Sequence, residues 1–221
     1  MIKAVLFDLD NTLIDFMKMK RLSCEEAISA MIDAGLPLDK EEAIKKLFAL
    51  YQKHGIEHQK IFQLFLKETM GKIDWRILAS GVVAYRRIKA SFLEPYPHTL
   101  KTLIELKKKG IKLAILSDAP KLEAYTRLAA TKLMPFFDVI LTLDDTKAFK
   151  PAKQAFLLAL KRLGTKPEET LMVGDWHERD IVGAKKVGMK TAYAIYGTIK
   201  EVKSTADYDL ASIKDILKVV R

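Results

Sequence analysis

The sequence predicts an α/β fold: a parallel sheet flanked by helices, interrupted by a small all-α helical bundle. Three observations predict it. From Pro97 onward short apolar runs alternate with segments of helical spacing, the pattern of a parallel sheet covered on both faces. Between residues 15 and 96 the β-branched runs disappear and helical spacing takes over. The chain opens on one isolated apolar run, Ala4 to Phe7, which reads as a buried strand whose partners must come after the helical insertion. The predicted organisation is therefore an α/β core from residues 1–14 and 97–221, with a helical cap domain from 15–96.

In chain order, four helical segments make up the insertion. Ile28, Met31 and Ile32 mark the first, stopped by Gly35 and Pro37. Asp39 to Glu42 resembles a capping box ahead of Ile44, Leu47, Phe48 and Tyr51, and His54-Gly55 ends that helix. Ile61, Leu64 and Phe65 make the third, closed by Gly71, and Leu78, Val82 and Tyr85 the fourth. In the core, Leu100, Leu103 and Ile104 give one helix face that ends at Gly110. A strand runs from Ile111 to Leu116, and a helix follows over residues 121–132. Val139 to Leu141 is a strand, Phe156, Leu160 and Leu163 mark a helix, and Leu171 to Val173 is a strand. A helix over Asp180 to Val187, a strand over Lys190 to Ala194 and a helix capped by Ser212 complete the chain.

Composition narrows the class. With 221 residues, 49% of them hydrophobic and 30% charged, the chain is long enough to bury a sizeable core. It has no apolar run of about 18 residues, and Asp8 and Asp10 interrupt the N-terminal run before it becomes a signal-peptide core. A cytoplasmic location is expected. The single Cys24 precludes an intramolecular disulfide and fits a reducing compartment. The formal charge is +10, but Lys and Arg are dispersed among acids and Lys107-Lys108-Lys109 is the longest run. Such a field suits steering of anionic small molecules better than a nucleic-acid track. Abundant Lys and Glu beside one Cys also fit a thermophilic source.

The polar residues with chemical potential fall where strands end, the side of an open α/β sheet on which ligands bind. Asp8 and Asp10 close the first strand and would repel one another unless a cation or shared proton compensated them. A divalent metal is the natural partner. Ser117 follows the strand ending at Leu116, where its hydroxyl and the next backbone N–H, that of Asp118, would hold an anion at a helix opening; a simple helix cap uses the same residues. Lys150-Pro151 is read as opening the Phe156 helix, and a cation at a helix start asks for an acidic partner. Gly174-Asp175 sets another carboxylate at a strand end, with Asp180 a turn and a half later.

Together these residues resemble the haloacid dehalogenase (HAD) superfamily, in its phosphatase branch. Asp8-Leu9-Asp10-Asn11-Thr12-Leu13 is similar to the first signature, Ser117 to the second, Lys150 to the third, and Gly174-Asp175 with Asp180 to the fourth. The resemblance implies a Rossmann-like core, and a helical cap that excludes water and chooses substrate. It implies Asp8 as nucleophile and Asp10 as the acid and base for the leaving group and the hydrolytic water. One Mg²⁺ per site, with Mn²⁺ as an alternative, would be held by the Asp8 and Asp175 carboxylates and the Asp10 backbone carbonyl. Thr12, Ser117, Asp118 and Lys150 would bind the phosphoryl group, and Asp180 would support Lys150 or a metal-bound water from the second layer. The partner would be a small phosphorylated metabolite, such as glyceraldehyde 3-phosphate or phosphoglycolate, with no nucleic acid or membrane, and the enzyme a monomer or homodimer. The same superfamily holds phosphomutases, 2-haloacid dehalogenases and phosphonate-cleaving enzymes. Asp10 argues against dehalogenation, because halide leaves without a proton. None of Lys18, Lys20, Lys53 and Lys60 is diagnostic of the Schiff-base lysine that phosphonate cleavage needs. A non-catalytic basic binding module is the alternative of a different class. Trp176 and His177 are candidates for the mouth of the site, and Arg86 and Arg87 for a second anion contact.

Overall fold

A computed structural model describes residues 1–198 and 202–220. The chain forms two compact units, one from Met1–Phe16 with Glu94–Arg221 and the other from Met17–Leu93. At the start of the first unit is β1 (Ala4–Phe7), all four residues of which are buried. The helices α1 (Phe16–Asp33), α2 (Lys40–His54), α3 (Ile61–Met70) and α4 (Trp75–Phe92) follow. Where the chain leaves and rejoins the first unit its two arms pair: Asp15 N–H donates to Glu94 O and Tyr96 N–H to Leu13 O, each at 3.0 Å. That pairing carries the first unit to Phe16 and resumes it at Glu94, where the sequence reading set 14 and 97.

The first unit continues with α5 (Thr99–Lys108), β2 (Lys112–Leu116), α6 (Lys121–Ala130), β3 (Val139–Leu141), α7 (Leu143–Thr146) and α8 (Lys153–Leu163). It ends with β4 (Thr170–Gly174), α9 (Val182–Lys185), β5 (Lys190–Ala194), β6 (Tyr208–Leu210) and α10 (Ile216–Val219). The six strands form one sheet in the order β3-β2-β1-β4-β5-β6, and every pairing is parallel. β1 lies between β2 and β4, with Phe7 level with Ile115 and with Val173. Chain order runs outward from β1 through β2 to β3, then reverses to β4 on the other side. The crevice of an open parallel sheet opens at such a switch point, so residues that follow β1, β2 and β4 share one rim.

Each element has a local cause. On one face of the sheet Leu6, Ala114, Leu116 and Met172 join Phe156, Leu160 and Leu163 of α8 and Ala184 of α9 in one buried cluster. Gly183 lets α9 approach: a Cβ there would lie 2.5 Å from Phe156 Cε2. Three elements depart from the sequence reading. The buried stripe of α5 is Thr99, Thr102, Leu103 and Leu106, while Leu100 and Ile104 of the predicted face are exposed. The i, i+3, i+4, i+7 stripe is intact but passes through two threonines, which an apolar count overlooks. β6 was not foreseen, since only Leu210 of its three residues is buried. Lys150 does not open α8, which starts at Lys153 with Ala152 as its N-cap.

In the second unit Asp39 caps α2 by accepting from Glu42 N–H, and Gly55 ends it by donating to Tyr51 O. Gly71 closes α3 with left-handed backbone at φ 73°, a conformation that glycine adopts without a Cβ clash. Ile28, Met31, Leu47, Phe65, Leu66 and Leu78 are among the buried residues of its core. Lys20 is buried there with its Nζ 3.0 Å from Tyr85 Oη and 4.2 Å from the Tyr51 ring centroid. Arg86 and Arg87 are exposed on α4. Among the described residues no helix is long and apolar enough to cross a membrane.

Two outcomes follow from this packing. Phe156→Ala should lower unfolding free energy by about 3–5 kcal/mol, read from the midpoint of urea denaturation. Burial pushes the Cys24 thiol up to about 11, so at pH 8 it is protonated and shielded. A chromogenic disulfide reagent should detect no thiol in the native protein and one per chain in urea.

Candidate active site

β1 delivers Asp8 to the rim of the sheet, where its backbone N–H still donates to Val173 O at 2.8 Å. Lys150 reaches it from the turn before α8. Its Nζ lies 2.6 Å from Asp8 Oδ1 and 2.6 Å from Asp180 Oδ1, and its side chain is 3% exposed. The acidic partner that Lys150 required is thus a pair of aspartates. Asp175 follows β4, and Asp8, Asp175 and Asp180 each present an oxygen within 4.8 Å of the others. Asp180 comes inward on a wide turn, the π-helical segment His177–Ile181, and not on the α-helix that the sequence suggested. Trp176 closes that turn twice, accepting from Asp180 N–H at 2.8 Å and donating its own N–H to Asp180 Oδ2 at 3.0 Å. Gly174 makes room, since a Cβ there would lie 2.2 Å from Asp180 Oδ2 and 2.5 Å from its Cβ.

Three carboxylates meet one ammonium in this buried cluster. Burial, then Asp8 and Asp180, raise the Asp175 carboxyl well above its ordinary range. Burial raises Asp180 as well, against the pull of Lys150. For Lys150, burial acts downward, but Asp180, Asp8 and Asp118 outweigh it and hold the ammonium charged. The excess of negative charge is what a divalent cation relieves, and an all-oxygen carboxylate set is the donor chemistry that Mg²⁺ takes. The residues present therefore fit that ion.

The turn after Asp8 is braced from β5. Asn11 takes left-handed backbone at φ 58°, which Asn tolerates better than most residues. Tyr196 Oη donates to Thr12 O at 2.7 Å. Gly197 packs so closely that a Cβ would sit 1.6 Å from Asn11 O. Thr12 itself is fully buried and its hydroxyl donates to Asp175 Oδ1 at 3.2 Å. A hydroxyl has a single proton, and here Thr12 directs it at Asp175, the phosphoryl contact being the one its motif position suggests.

Ser117 ends β2 buried, and its Oγ accepts from Ala119 N–H at 3.1 Å, which leaves its own proton to donate. The Asp118 side chain does something other than bind an anion. One of its oxygens accepts Lys150 N–H at 2.9 Å and the other accepts Arg179 Nη1 at 3.2 Å, so the carboxylate ties the Lys150 turn to the Asp175 turn. A carboxylate cannot donate to phosphate, and only the Asp118 backbone N–H keeps the expected role. Arg179 lies 4.0 Å over the Trp176 ring. His177 Nε2 accepts from Thr205 N–H at 3.1 Å, a contact that secures the loop.

Sequence reasoning missed Arg127. It is 1% exposed on α6, and its Nη1 lies 2.5 Å from Asp10 Oδ2. The available signal was its position, since Ala124, Arg127 and Leu128 share the buried side of α6. A guanidinium on an apolar stripe demands a buried acid.

Comparison with known proteins bears on this constellation. Residues 2–188 match the sequence model of the haloacid dehalogenase-like hydrolases. A glyceraldehyde 3-phosphate phosphatase of Methanocaldococcus jannaschii is 37% identical, aligned over 100% of this chain and 98% of that protein. A pyrophosphatase, PpaX, of Oceanobacillus iheyensis is 31% identical over 99% of this chain and 97% of its own. The crystal structure of a HAD phosphatase from Thermococcus onnurineus superposes with a TM-score of 0.75 at 28% identity, covering 99% of this chain and 98% of that one.

Gly174→Ala tests the geometry directly. The new methyl should push Asp180 off Lys150 and lower phosphate release at least about tenfold, while the circular dichroism spectrum stays that of the parent.

Proposed function

The chain belongs to the haloacid dehalogenase-like hydrolases and is an enzyme of their phosphatase branch, and from that premise we propose a Mg²⁺-dependent hydrolysis of a small phosphate monoester through a phosphorylated Asp8. The observation that carries the proposal is the buried cluster in which Lys150 bridges Asp8 and Asp180 beside Asp175. Asp8 Oδ attacks phosphorus and the ester P–O bond breaks. The departing alkoxide takes a proton from Asp10. Asp10, now ionised, removes a proton from water, whose oxygen attacks the same phosphorus and breaks its bond to Asp8, releasing inorganic phosphate.

The other residues supply position and charge. Lys150 keeps Asp8 oriented and faces the negative charge that gathers at phosphorus. Ser117 Oγ–H and the Asp118 N–H donate to phosphoryl oxygens. Thr12 aligns Asp175, and Asp180 holds Lys150 from behind. Mg²⁺ bound by Asp8, Asp175 and the Asp10 backbone carbonyl would neutralise the meeting of two anions, the carboxylate and the phosphate. The basic balance of the chain, +10, favours the approach of an anionic substrate. The relatives named glyceraldehyde 3-phosphate phosphatase support a triose phosphate as the first substrate to test, with phosphoglycolate as the second.

The decisive measurement is phosphate release from a panel of phosphorylated metabolites and p-nitrophenyl phosphate, with Mg²⁺, with Mn²⁺ and with EDTA. Turnover should require the metal, and Asp8→Asn should lower it at least about 10³-fold with the fold retained. Equal activity of Asp8→Asn and the parent would overturn the mechanism.

A further inference from the structure

Arg127 lies outside the set of residues so far given a part in the reaction. Its side chain is 1% exposed whereas that of its partner Asp10 is 23% exposed. The cation is therefore the more deeply placed member of the pair, and the acid side chain keeps some contact with solvent. The contact is made from a second side, because the guanidinium carbon lies 4.3 Å over the Phe16 ring centroid. A buried guanidinium is strongly disfavoured without an anion, so the packing of α6 that buries Arg127 also favours the pair. Asp10 lies three residues beyond the end of β1, in the turn that follows Asp8. A cation with Nη1 at 2.5 Å from Oδ2 holds that oxygen of the carboxylate in place.

We infer that Arg127 is a positioning residue for Asp10, holding its carboxylate in the orientation that serves the leaving-group oxygen. This rests on the reading of Asp10 as the proton donor. Arg127 does not reach substrate, and a guanidinium does not give up its proton near neutral pH. Its effect passes through Asp10 alone. Because α6 begins after Ser117 and Asp118, the same helix ties the acid to the turn that presents donors to the phosphoryl group.

The test compares kcat/KM for two substrates that differ in their need for a proton. p-Nitrophenolate leaves unprotonated, whereas an alkoxide does not. Arg127→Met should lower kcat/KM for the fastest alkyl phosphate of the panel at least about tenfold more than for p-nitrophenyl phosphate. Arg127→Lys, which keeps the charge and loses the planar fork, should show the same selectivity at smaller size. An equal loss on both substrates, or none, would mean that Arg127 only supports the fold and would overturn the inference. If the Met variant does not fold, the Lys variant decides by the same criterion. Asp10→Asn, measured in parallel, separates the two levels. Selective loss in Asp10→Asn without it in the Arg127 variants sinks the inference and leaves the mechanism standing. Unselective loss in Asp10→Asn removes the acid role, and the inference with it.

Discussion

The structure depends on one contact, the ammonium of Lys150 placed between Asp8 and Asp180. Lys150 and Asp180 are almost wholly buried, where a charge needs a partner. Lys150 answers to both acids at 2.6 Å, and its backbone N–H is held by Asp118, which in turn accepts from Arg179. The loops after β1, β2 and β4 and the turn before α8 are thus joined by ionic hydrogen bonds across the switch point of the sheet. Removing one member would leave an uncompensated charge on the others, so the site is as much a constraint on the fold as a product of it.

Two glycines show how little space the arrangement tolerates. Gly174 gives Asp180 its place beside β4, and Gly197 allows the β5 loop to meet the Asn11 carbonyl. A signature such as Gly174-Asp175 is therefore a packing statement: the glycine exists for an acid six residues downstream. The negative excess of Asp8, Asp175 and Asp180 over Lys150 is the complementary electrostatic statement, and it matches a hard divalent cation. Arg127 and Asp10 form a second pair, far apart in sequence yet built on the same logic of a buried cation matched to an acid.

Much of this was legible in the linear chain. The apolar runs of β1, β2 and β4 are continuous because both faces are covered, and the helix stops at Gly55, Gly71 and Gly164 are glycines with positive φ. Asp8, Asp175 and Ser117 stand out because strand ends are recognisable where an apolar run meets a polar residue, and Lys150 because it precedes Pro151 ahead of a helix. The misreadings share a physical origin. The buried face of α5 runs through Thr99 and Thr102, and β6 has a single buried residue, so neither carries an apolar period.

Sequence alone determined the fold class, the helical insertion, and which polar residues gather at the strand ends. These follow from periodicity and from polar residues at strand ends, both local properties of the chain. Only the tertiary structure decided which acid meets which donor: Lys150 with Asp8 and Asp180, Arg127 with Asp10, Thr12 with Asp175. Those pairs are 142, 30, 117 and 163 residues apart in the chain, and a charged or polar group meets its partner by distance through a low-dielectric interior, which spacing along a sequence does not encode.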